Sequence, residues 1–96
     1  MDNREASHLL TAALARYLAL PYSDLRPRIG EVICDEVAGA SGTKYQIEVN
    51  FDWDDRPSGD IRVMGSIDDG GWSAFLPLCD SFIMAPDGQF VGEGAS

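Results

Sequence analysis

Ninety-six residues, 45% hydrophobic and 24% charged, fit a single domain of ordinary globular composition and exclude wholesale disorder or a collagen-like repeat. Sixteen acids against seven bases give a net charge of -9, which disfavours direct binding to a nucleic-acid backbone. No apolar run approaches the roughly 18 residues that span a bilayer, and no signal-peptide pattern opens the chain, so the expectation is a cytoplasmic protein with no membrane association.

Residues 3–19 form the first predicted helix. Leu10, Ala13, Leu14, Tyr17 and Leu18 recur at spacings of three and four, with Ala6 and Leu9 widening the stripe. Asp2 suits the N-cap, and Glu5 three residues later completes a capping-box spacing. Pro21 cannot continue the ladder and places the end near Ala19. Residues 29–38 read two ways. Leu25, Ile29, Val32, Ile33 and Val37 fit a helical stripe, but β-branched content and the loop Gly39-Ala40-Ser41-Gly42 favour a strand paired with the next element.

From 43 to 54 the alternation is nearly unbroken, with Tyr45, Ile47, Val49, Phe51 and Trp53 on one face and polar residues on the other. That pattern describes a half-buried antiparallel strand. After the turn-rich loop Asp55–Gly59, Ile61, Val63, Gly65 and Ile67 alternate again, which predicts a hairpin. Gly65 in mid-strand implies a bulge or the close approach of a large neighbour. Asp68-Asp69-Gly70-Gly71 reads as a turn, followed by an alternating run through Trp72, Ala74, Leu76 and Leu78 that Pro77 places at an edge or a strand end. Residues 81–85 and 89–92 flank Pro86-Asp87-Gly88 as a terminal hairpin, and 93–96 read as a tail. The predicted fold is therefore α+β over residues 1–96: one N-terminal helix packed on an antiparallel β-meander of four to six strands spanning about 29–92.

Candidate chemistry is sparse. His8 is the only histidine, with Arg4, Glu5, Thr11 and Ala12 as its helical neighbours, and it reads as a solvated side chain. Cys34 precedes Asp35 and Glu36, and Cys79 precedes Asp80. These electronegative settings oppose a reactive thiolate. Two cysteines make no framework, although a 34–79 bridge would be open to an exported protein. No Walker loop and no calcium-loop signature is present. No catalytic residue, metal ligand or cofactor is assigned.

Charge distribution carries the remaining signal. Residues 1–30 have a net charge of +1, whereas residues 48–69 have a net charge of -5. Aromatic anchors rimmed by carboxylates suit a basic protein surface, so Asp52, Asp54, Asp55, Asp68, Asp69 and Trp72 are the expected partner-binding residues. By phase Trp53 belongs to the core. The reading is a non-enzymatic acidic binding module, of the inhibitor, immunity or nucleic-acid-mimic kind, for a basic partner protein. Its rivals are a divalent-metal or enzymatic domain built on the Asp52–Asp69 carboxylates, with Asp52 and Asp54 about 7 Å apart on one strand face, and an accessory subunit or homodimer docking through Leu9 and Leu10 of the helix.

Overall fold

The computed structural model describes residues 2–71 and 77–91. Helix α1 runs Asn3–Leu18. Asp2 caps it, its Oδ1 accepting from the backbone N–H groups of Arg4 and Glu5 at 3.1 Å each. The capping box is not formed. Glu5 turns away from the helix start and accepts from Ser41 and Tyr45 instead. Past Leu18 the chain makes two short elements that periodicity cannot resolve, α2 (Tyr22–Leu25) and a 3-10 turn (Arg26–Arg28). Pro21 serves as the N-cap of α2, where an absent N–H costs nothing.

Five antiparallel strands follow: β1 (Val32–Ala38), β2 (Lys44–Trp53), β3 (Ile61–Asp68), β4 (Leu78–Met84) and β5 (Phe90–Val91). Their order in the sheet is their order in sequence, β1-β2-β3-β4-β5. The ambiguous segment is thus a strand from Val32, where its β-branched residues find partners on β2. Two boundaries differ from expectation. β2 ends at Trp53 and leaves Asp54 outside it, and β4 runs unbroken through Cys79 and Asp80. Asp80 pairs with Gly65 at a position whose phase belongs to the apolar face, so a polar residue in that phase hides the continuity of Leu78, Phe82 and Met84. Pro77 stands just before β4, where no ladder bond is required of it. The strand expected through Trp72–Leu76 and the tail at 93–96 lie outside the described residues.

The helix covers one face of the sheet. Ala6, Leu10 and Leu14 meet Tyr45, Ile47, Val49 and Phe51 of β2, Ile61, Val63 and Ile67 of β3, and Phe82 and Met84 of β4, with Leu25 closing one end. Tyr17 stands edge-on to Phe51, ring centres 5.1 Å apart, and Trp53 packs at the margin. Gly65 is the point of closest approach. A Cβ there would lie 2.8 Å from Leu10 Cδ1 and 3.1 Å from Leu14 Cδ2, and the unbroken β2–β3 register shows no bulge. The absent side chain lets the helix sit down on β3. The hydroxyl of Tyr22 donates to the Gly59 carbonyl at 2.7 Å and Arg26 donates to Ser58 Oγ at 3.1 Å, pinning the α2 region to the β2–β3 loop.

Candidate functional site

The expected partner-binding residues divide between two ends of the sheet. Asp52 lies near the end of β2 with its side chain on the face away from α1, and Asp54 and Asp55 begin the β2–β3 loop. Asp68 ends β3 and Asp69 begins the next turn. An eight-residue strand separates the two groups, about 23 Å at the rise of an extended chain. Residues adjacent in sequence across a hairpin therefore do not form one patch. Trp72 lies outside the described residues.

Local bonding further divides their roles. Asp54 Oδ1 accepts from Arg62 Nη2 at 2.6 Å and Nε at 3.0 Å, so its charge is met within the chain. The backbone N–H of Asp54 donates to the Asp60 carbonyl and closes the loop. Asp68 and Asp69 accept from the N–H groups of Gly70 and Gly71, and both carboxylates brace the turn. Arg26 reaches this loop end of the molecule through Ser58, and Arg28 stacks over Tyr17 and Phe51 at 5.8 and 5.9 Å. Cations thus accompany the carboxylates at the β2–β3 end. Asp52 and Asp55 remain exposed there.

The face of the sheet opposite α1 is a site that linear clustering does not reveal. Register places Val32, Asn50, Met64 and Ser81 in one row across β1 to β4, with Cys34, Glu48, Ser66 and Cys79 in the next. Asp52, Arg62, Ile83 and Val91 form a row on the other side. Val32 is 55% exposed and Met64 37%, so among the described residues no element packs over the middle of this surface. Glu36, Glu48 and Asp52 are exposed on the same face. The sequence does carry a signal for it: Met64 is an apolar residue in the polar phase of an alternating strand.

Both cysteines are free and exposed. They lie on β1 and β4 with two strands between them, roughly 14 Å apart at the usual strand spacing and far beyond disulfide reach. His8 lines a solvent-open groove of about 350 Å3 with Asp2, Arg4, Glu5, Leu9 and Ala40. The helix stripe is occupied by the sheet: Leu10 is buried and Leu9 half-buried, so the pair is not an exposed docking surface, although Leu18 is 40% exposed. Among the described residues no three His, Cys, Asp or Glu side chains gather as a metal site, and no helix is long and apolar enough to cross a membrane.

The polar cluster that holds the helix to the sheet is centred on Glu5. It accepts from Ser41 Oγ at 2.7 Å, from the Ser41 N–H at 3.0 Å and from the Tyr45 hydroxyl at 2.8 Å. These bonds, the Ser41 hydroxyl first, hold the carboxyl below its ordinary pKa. Tyr45 is pushed up to about 12, by burial first and then by its bond to Glu5 and the charge of that carboxylate. Gly39 leaves room for this carboxylate, since a Cβ at that position would overlap it. Comparison of the chain with protein-family models, with curated proteins and with solved structures finds no match.

Proposed function

We propose that this chain is a non-enzymatic binding protein for a basic partner protein, engaged through the carboxylate-bearing face of its sheet. The observation that carries the reading is the uncovered face itself, where Glu36, Glu48 and Asp52 stand exposed around an exposed Met64. Apolar surface bordered by one sign of charge suits recognition: charge accelerates encounter and excludes acidic competitors, while the apolar centre slows release. Inhibitor, immunity and nucleic-acid-mimic proteins are function classes compatible with this physics. The divalent-metal alternative has no three-ligand set among the described residues to build on. Helix docking has little free apolar surface, because Leu10 and Leu14 are buried against the sheet.

The test compares tagged wild type with the Glu48→Lys/Asp52→Lys chain as bait in lysate of the source organism, washed at about 50 mM and then about 500 mM salt, where screening shortens several-fold. The expected result is a basic protein held by wild type at low salt, released at high salt and absent from the reversed bait. Retention by both baits alike, or no basic protein on either, overturns the proposal.

A further inference from the structure

Four apolar residues on the sheet face away from α1 fall on a line, of which Val32 and Met64 are exposed and Ile83 and Val91 are half-buried. Val32, Met64, Ile83 and Val91 come from β1, β3, β4 and β5, and pairing fixes their relative positions. Val32 and Met64 both oppose Asn50, while Ile83 and Val91 share the next row with Arg62. With strands about 4.8 Å apart and about 3.3 Å of rise per residue, Met64, Ile83 and Val91 lie roughly 10, 16 and 20 Å from Val32 along a nearly straight path. An α-helix presents positions i, i+7, i+11 and i+14 on one face at about 0, 10.5, 16.5 and 21 Å. The two spacings coincide. Glu48 and Asp52 lie on β2 two residues either side of Asn50, so exposed carboxylates flank the line on both sides.

The geometry points to a basic amphipathic helix of a partner protein as the occupant, laid across the strands with its apolar stripe over Val32, Met64, Ile83 and Val91. Its Lys or Arg residues would reach Glu48 on one side and Asp52 on the other. This inference rests on the reading of the chain as a binder of basic proteins and specifies the element bound. Charge selects this occupant over a second copy of the chain. Two copies face to face would oppose surfaces of the same net sign within a pair that already carries -9 on each member. A bound helix would cover the face that an antiparallel sheet can otherwise leave to solvent.

Cys34 supplies a native reporter, since it is exposed one row from Val32, about 6.6 Å away, at the margin of a bound helix; Cys79 lies two rows, about 13 Å, from Ile83 on β4 and serves as the internal control. The probe is a synthetic 18-residue peptide with Leu at i, i+7, i+11 and i+14 and Lys on its flanks, compared with a peptide of the same composition in scrambled order. Binding to the full chain is measured by anisotropy, and alkylation of both thiols by iodoacetamide is followed by mass. The expected result is about tenfold tighter binding of the ordered peptide, alkylation slowed at Cys34 relative to Cys79, and loss of the preference in Met64→Glu, an exposed position where the fold is retained. Equal binding of the two peptides with Cys34 unprotected overturns the helix inference while leaving the basic-partner reading intact. Failure of both peptides to bind, together with an empty pull-down, overturns both. Thiols already protected in the free chain at high concentration would name a second copy as the occupant and overturn the inference.

Discussion

Tyr45 is buried with its hydroxyl directed at Glu5, 2.8 Å from Oε1, so a helix residue and a strand residue are joined by one proton. The two ends of that bond titrate in opposite senses. Glu5 is held low, so its contribution is present above the ordinary glutamate range and is lost as pH falls through its folded value. Tyr45 is raised to about 12, so its contribution is complete below the unfolded value near 10 and is lost as pH rises through about 12. The Tyr45→Phe chain is expected to melt a few degrees below wild type at pH 7 and to converge on it between about pH 10 and 12. Thermal melts across that range check this, and curves that stay parallel would dismiss the bond as a pH-dependent contact. Glu5 also shows where local sequence reasoning stops. The Asp2–Glu5 spacing matches a capping box, yet Ser41 and Tyr45 offer three donors to one carboxylate and outcompete the helix's own N–H.

At the scale of elements, β1 is an edge strand, and its sequence bears the mark of one. Ile33 and Val37 turn toward the helix side and are half-buried, while Asp35 between them shares that phase opposite Ile47 and is exposed. An inward-phase charge on a free edge discourages a second chain from adding a strand, because pairing there would dehydrate the carboxylate. Asp35→Val is therefore expected to leave the monomer at least as stable and to make it self-associate. Sedimentation velocity at rising concentration reads this, and a strictly monomeric variant would refute the role. α1, β2 and β3 were legible because long runs hold a single period, 3.6 for the helix and two for the strands. β1 was not, because apolar residues at 25, 29, 32, 33 and 37 satisfy a helix as well, and only pairing with β2 decides. α2 and the 3-10 turn are shorter than any period can register.

For the whole molecule, one layer of helix on one layer of sheet gives an extent of 40 × 26 × 20 Å, over which -9 is distributed. Self-repulsion outweighs the part-buried Arg62–Asp54 pair, since solvent-screened pairs contribute about 0–1 kcal/mol and sixteen acids face only seven bases. Raising sodium chloride from about 20 to about 500 mM is expected to raise Tm by several degrees. A fall would mean that attractive pairs dominate instead. The site was the less legible part. Acidity between 48 and 69 was visible in the chain, but a hairpin returns on itself and sends Asp52 and Asp68 to opposite ends of the sheet. The uncovered row through Met64 depends on register, and register is fixed by pairing between strands, which composition does not encode.

A sheet whose spatial order repeats its chain order also has a consequence in time. Each hairpin closes between sequence neighbours and can form quickly, whereas α1 packs chiefly on β3 and β4 and must bridge most of the chain to dock. The helix, which precedes the sheet in the chain, is thus expected to dock after the hairpins have closed. Leu10 and Leu14 leave the ribosome with nothing to cover until Phe82 and Met84 have followed, and in that interval the helix is open to chaperones that grip short apolar stripes.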